Sequence, residues 1–294
     1  MLRSGKRFIA SRKSLLPGSS QYFSSQIMSG KVIFLRHGQS TWNRDNKFIG
    51  MADPPLTPRG ETEAKMAGRI LDEESIRFDC IYSSVLRRCT KTAWLVMEEL
   101  GVEWTPIMKD WRLNERSYGA LVGQSKKDCV EEFGKDQVKR WRRSWDEPPP
   151  PQDKADPEWP GNDPRYASLG VDPNKLPLSE SLKDLEPRTT SFWNECIIPN
   201  LQQSKTVLVV GHENNLRSIL KRIDKISNKD ILELDIPRAV PLLYNFNPNT
   251  LLPVPIEGSA PLLSGKYLSK NGFYEKLVQE SVRSESNDFK AEVN

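Results

Sequence analysis

Short apolar runs and amphipathic stretches alternate along the chain. Residues 31–35 (KVIFL), 79–82, 206–210 (TVLVV) and 242–246 are apolar runs of strand length, too short for helices. Between them, 57–71 carries apolar residues at helical spacing behind Thr57 as N-cap and Pro58 at the first helical position. Residues 85–100 and 214–222 also have a helical pattern. Strands alternating with helices predict an α/β fold, a three-layer sandwich with a mostly parallel central sheet flanked by helices. The pattern loosens between 111 and 177, into a charged helix ending KRWRRSW and then the proline-rich EPPPPQDKADPEWPGNDP, too long to be a plain connector. About 112–178 therefore forms an insertion capping the sheet, and Trp141, Trp145 and Trp159 predict that it docks on the body. The catalytic domain is expected over 29–270, followed by a polar, mobile tail over 271–294.

Composition fits a chain that buries a full core: 294 residues, 37% apolar and 28% charged. No run approaches the roughly 20 apolar residues of a membrane span, so no membrane partner is expected. Cys80, Cys89, Cys129 and Cys196 are widely spaced and form no Cys-x-x-Cys pair, which suits buried thiols better than a zinc site. The formal charge of +4 comes from one end: residues 1–28 hold five of the 43 basic residues and none of the 39 acidic ones. The remaining 38 basic residues balance the 39 acidic ones, which leaves no electrostatic case for nucleic acid. The leader, rich in Arg and Ser and free of acids, has the composition of an organelle transit peptide, mitochondrial before plastid. Met28 followed by Ser29 and Gly30 offers a cytosolic start as the alternative.

The candidate chemistry lies where the strands end. The chain has two histidines, His37 and His212, and each directly follows an apolar strand, in VIFLRH and TVLVVGH. In a parallel sheet, ligands gather beyond the carboxyl ends of the strands, so both imidazoles fall on one rim. Arginines rather than acids surround them, which favours an anion over a metal. Phosphate fits: Arg36 supplies a planar fork, Gly38 lets the backbone approach, Ser40 and Asn43 add donors, and SSVLRRCTKT brings Arg87 and Arg88 to a helix start. One histidine can attack phosphorus while the other stabilises the transferring group. Glu115, in LNERSYG, is the candidate general acid and base.

LRHGQSTWN, SSVLRRCTKT, LNERSYGAL and GHENNLR, in that order, resemble the histidine phosphatase superfamily. WRRSW, DPRYA, LPLSESL, ILELDIP and VPLLYNF bring the likeness closer to its 2,3-bisphosphoglycerate-dependent phosphoglycerate mutase branch, over about residues 31–270. The resemblance implies that His37 is the phosphorylated nucleophile, that His212, Arg36 and Arg88 surround the phosphoryl group, and that Glu115 moves the proton. It places Ser40, Asn43, Ile49, Gly50, Arg116, Tyr118, Lys126, Arg142, Arg143, Glu213 and Asn214 at substrate-binding positions. It implies 2,3-bisphosphoglycerate as primer and intermediate, no metal, phosphoglycerates as substrates, and a homo-oligomer, dimer or tetramer. A phosphomonoesterase of the same superfamily and a catalytically silent binding protein of the same fold are the alternatives.

Three positions depart from the pattern. Glu213 stands where the family has glycine, and a carboxylate pointing inward would repel the substrate, so it is expected to turn away and leave only its amide. Ile49 replaces a threonine, and Ser117 a histidine.

Overall fold

The computed structural model describes residues 29–269; the leader expected over 1–28 and the tail expected over 271–294 lie outside them. Within the described residues seven strands form one sheet: β1 (Gly30–Arg36), β2 (Cys80–Ser83), β3 (Ile107–Lys109), β4 (Thr206–Gly211), β5 (Leu242–Phe246), β6 (Pro253–Val254) and β7 (Lys266–Tyr267). Their order is β3-β2-β4-β1-β5-β6, with β7 also on β5. β1 to β4 are mutually parallel where they pair, and β5 runs antiparallel to β1.

Among the described residues nine α-helices accompany the sheet: α1 (Thr41–Arg44), α2 (Pro58–Glu73), α3 (Arg87–Leu100), α4 (Lys126–Phe133), α5 (Lys135–Arg143), α6 (Pro164–Ser168), α7 (Leu182–Phe192), α8 (Ile198–Gln202) and α9 (Glu213–Ile223). The continuous apolar runs of β1 and β4 follow from burial on both faces. Val32, Phe34, Val207 and Val209 pack with Leu182 and Leu185 of α7 and Leu216, Ile219 and Leu220 of α9. Ile33, Leu35, Leu208 and Val210 pack on the other side with Ala67, Ile70 and Leu71 of α2 and Ala93, Val96 and Met97 of α3. The result is the three-layer sandwich.

α2 starts as its sequence dictates: Thr57 caps it by accepting from the Gly60 amide, with Pro58 first in the helix. α3 has no side-chain cap of its own; the Asp53 carboxylate, distant in sequence, accepts from the Arg87 amide at 2.8 Å instead. The α7 region holds a helix, a π turn (Trp193–Ile197) and α8, which the sequence pattern leaves unassigned because Pro187 and Pro199 interrupt it.

Residues 112–178 lie against the body. Trp141 and Trp159 are buried, and Phe48 N donates to Gln124 O and Lys126 N to Asn46 O, both at 3.0 Å; within the insertion Ala120 N donates to Pro150 O and Gln152 N to Leu178 O, both at 2.9 Å. Backbone hydrogen bonds therefore anchor the proline-rich stretch where its prolines lack donors of their own.

Candidate active site

The register of the two central strands places the histidines. Arg36 pairs with Gly211 across the parallel β1–β4 ladder, and His37 N donates to Gly211 O at 3.1 Å. The two imidazoles meet edge to face, with ring centroids 5.0 Å apart. β2 delivers Ser83 and Ser84 to the same rim and leads into Arg88 in the first turn of α3. Glu115 follows β3 through a 3₁₀ turn (Trp111–Leu113). The ends of four neighbouring parallel strands thus supply the set.

His37 Nδ1 lies 2.7 Å from Gly38 O, a carbonyl that can only accept. The proton is therefore on Nδ1, and Nε2 carries the lone pair a nucleophile needs. Burial, with the charges of Arg88 and Arg36 beside it, holds His37 well below the ordinary histidine value of 6.5, so the ring is neutral. His212, held at Nε2 by the Ser84 hydroxyl at 2.9 Å, is lowered by burial and then by Arg88. Glu115 is 8% exposed, and its carboxyl is raised above 4.5 by burial and by the nearby Glu213 charge, against the pull of the Arg116 amide and of Arg36 and Arg88. A raised carboxyl that lines the same cavity as a neutral imidazole has the chemistry to serve as an acid for a nucleophile.

Arg36, His37, Asn43, Ile49, Gly50, Arg88, Glu115, Tyr118, Lys126, Arg142, Arg143, Glu213 and Asn214 line one cavity, and all of them stand in the sequence-derived set. Lys47 and Phe48 complete the wall. They precede Ile49 and Gly50 directly, and that adjacency was the available signal. Arg36 and Arg88 spend their terminal nitrogens on the carbonyls of Ile236, Ala52 and Gly50 and on the Glu213 carboxylate, which fixes both planes. Each leaves its Nε buried without an acceptor, a cost that an anion against the guanidinium offsets.

Several residues sit elsewhere than expected. Arg87 is exposed and donates from Nε to Asp53 O at 2.7 Å, so only Arg88 of the pair faces the cavity. Arg116 is 1% exposed and serves the framework: it donates to Glu180 O and Trp141 O, both at 2.9 Å, and stacks on Tyr118, tying the end of α5 to the segment that carries Glu115. Ser40 is the buried N-cap of α1, bonded to Asn43 rather than lining the cavity. A Cβ on Gly38 would fall 2.2 Å from Gly60 O, so its close backbone approach is to α2.

The largest correction concerns Glu213. Its carboxylate points into the site, 2.8 Å from Arg36 Nη2 and 3.4 Å from Arg143 Nη1. It does not turn away as expected, because the Arg36 and Arg143 guanidiniums draw it in.

Sequence reasoning also missed the pair that holds Glu115 in place. Arg188 of α7 makes a two-pronged contact with Glu180 at 2.8 and 2.9 Å and donates to the carbonyls of Arg112, Asn114 and Glu115. Glu180 in turn accepts from Ser117 N at 2.9 Å. LPLSESL contains Glu180, but nothing local pairs it with residue 188.

Residues 32–250 match the histidine phosphatase superfamily (branch 1). Solved structures share the fold at low identity. The α-ribazole phosphatase from Shigella flexneri is 20% identical with a TM-score of 0.55, covering 76% of this chain and 93% of its own. The mycobacterial glucosyl-3-phosphoglycerate phosphatase, complexed with VO3, is 20% identical at 0.55, covering 73% and 92%. YhfR from Bacillus stearothermophilus is 19% identical at 0.57, covering 76% and 94%.

Proposed function

The chain belongs to the histidine phosphatase superfamily, and we propose that within it the protein is a phosphoglycerate mutase, interconverting 3- and 2-phosphoglycerate through His37. One observation carries the reading: a single cavity holds two sets of cations, Arg36 and Arg88 on the strand rim and Lys126, Arg142 and Arg143 from the cap. Hydrolysis of a phosphate monoester needs only the first set. A mutase must also grip a second anionic group while the substrate turns over, and must keep water from phosphohistidine.

The donor set fits 2,3-bisphosphoglycerate, since six cationic side chains face two carboxylates around the cavity. Bound there, that compound supplies the phosphoryl group that primes His37. His37 uses the Nε2 lone pair to form the P–N bond as the P–O ester bond breaks, and Glu115 gives its proton to the leaving oxygen. In the return step Glu115, now a carboxylate, takes the proton of a substrate hydroxyl. That oxygen attacks phosphorus, the P–N bond breaks, and His37 is again neutral. Arg36 and Arg88 offset the charge on the phosphoryl oxygens throughout, and His212, a neutral ring, contributes as a hydrogen-bonding dipole.

Glu213 favours a second reading, a phosphomonoesterase, because its carboxylate engages Arg143, one of the cap cations that a second substrate anion needs. One assay separates the two. The full chain is given 3-phosphoglycerate and a metal chelator, with and without catalytic 2,3-bisphosphoglycerate, and 2-phosphoglycerate and inorganic phosphate are followed together. Isomerisation stimulated by the bisphosphate, with little phosphate released, is the expected result; phosphate release without isomerisation overturns the mutase in favour of the hydrolase.

A further inference from the structure

Glu213 is the first residue of α9, directly after His212. Its carboxylate bridges two bodies: Arg36 on the strand rim, at 2.8 Å, and Arg143 at the end of the cap helix α5, at 3.4 Å. Arg143 is itself shared with Asp235, at 3.0 Å, so it stands between two acids. The side chains of Glu213, Arg36 and Arg143 are only 20%, 12% and 15% exposed, which limits screening of these contacts by solvent and salt. The charged groups that act on Glu213 come from three elements: Arg36 of β1, Arg142 and Arg143 of α5, and Arg217 of α9 itself. Burial alone would raise its carboxyl; together these guanidiniums more than reverse that and hold it well below the usual carboxylate range, ionised at any working pH.

A carboxylate that lines the substrate cavity and pairs with two of its cations does what a substrate anion would do there. We propose that Glu213 is a built-in competitor for anionic ligands, a specificity-determining residue that occupies Arg36 and Arg143 in the ligand-free site and sets how much negative charge a ligand must bring to stay bound. A lone small anion meets a fork whose charge is already offset. A ligand that also reaches Arg88, whose terminal nitrogens are held by the Ala52 and Gly50 carbonyls and not by Glu213, gains a contact outside the Glu213 ion pairs. The inference rests on the phosphoryl-transfer reading of the cavity, but it does not require turnover.

The alternative role is a prop, in which Glu213 merely holds Arg36 and Arg143 in place for the ligand. The two roles predict opposite signs. Glu213→Gln keeps the shape and one acceptor oxygen while removing the charge. Calorimetric titration of the full chain with inorganic phosphate should then show binding tightened about tenfold over the wild type, the scale expected for deleting one like charge at this range in a partly screened site. Glu213→Asp, which retains the charge, should bind phosphate as weakly as the wild type. The charge of Glu213 also helps to keep Glu115 protonated. The limb of the kcat profile that reports Glu115 should therefore move to lower pH in Glu213→Gln under either role, so it confirms that the charge is gone while the sign of the change in phosphate affinity separates competitor from prop. Unchanged or weakened phosphate binding in a Glu213→Gln protein whose thermal melting is intact overturns the proposal. A wild type that binds phosphate yet isomerises nothing would count against the mutase alone, because the binding measurement stands without it.

Discussion

His37 and His212 are buried as neutral rings among guanidiniums, which gives the site a pH signature that needs no substrate. An unfolded histidine titrates near 6.5, whereas the folded pair gains protons only at lower pH. Between those values the unfolded chain binds more protons. Stability is therefore complete above about 6.5 and falls as the pH drops through the window, by up to about 1.4 kcal/mol per pH unit for each histidine. Glu115, raised rather than lowered, contributes in the opposite sense: its stabilisation is present below 4.5 and is lost as pH rises through its folded value. Denaturant unfolding at pH 7.5 and 5.5 should show the wild type losing more stability on acidification than a His37→Gln/His212→Gln protein; parallel losses would refute the neutral-ring assignment. Glu115→Gln keeps the size of the side chain but can neither give nor take the proton. Its kcat should fall by about 10²- to 10⁴-fold with KM little changed. Both histidines and Glu115 could be named from the sequence because each lies in a short local motif. The inward turn of Glu213 could not, since it depends on Arg143, 70 positions away.

At the scale of elements, the loop carrying His37 is held by contact between two glycines. A Cβ on Gly60 would fall 2.1 Å from Gln39 O, so the loop after β1 and the first turn of α2 touch backbone to backbone. Helix propensity alone makes Gly60→Ala favourable. The contact reverses the sign: melting should show a loss of about 1–3 kcal/mol, and turnover should fall as the loop shifts. The Arg188–Glu180 pair is the second element-scale device, with side chains 9% and 4% exposed. Arg188→Leu removes a donor from the carbonyls of Arg112, Asn114 and Glu115 and leaves the buried Glu180 charge without its cation, an expected cost of about 3–5 kcal/mol by denaturant titration. The double variant Arg188→Leu/Glu180→Gln should recover part of that stability. Periodicity located β1, β2, β4, β5, α2, α3 and α9 because each repeats a local pattern long enough to count. β3 has three residues, two of them exposed, and no alternation to detect. α7 carries Pro187 inside it and runs into a π turn, so its sequence argues against the helix that packing on α9 sustains.

Across the whole molecule, the cap and the strand rim act on one cavity. On the mutase reading, Arg142→Ala/Arg143→Ala should leave His37 able to accept a phosphoryl group but weaken retention of the second anion. The ratio of phosphate released to 2-phosphoglycerate formed should then rise at least about tenfold, measured in the two-product assay. An unchanged ratio would place the barrier to hydrolysis outside the cap helix. The sequence by itself determined the layers of the fold, the strand ends that bear chemistry and most of the residues around the cavity, because burial periodicity and strand-end motifs are local properties. Only the tertiary structure decided which arginines face the ligand and which hold the frame. Arg88 rather than Arg87 lines the cavity, Arg116 and Arg188 bind carbonyls, and Glu213 lies between the rim and the cap. A guanidinium has five donors and a long stem, so its role is fixed by whichever acceptors folding brings within reach, and those acceptors are distant in sequence.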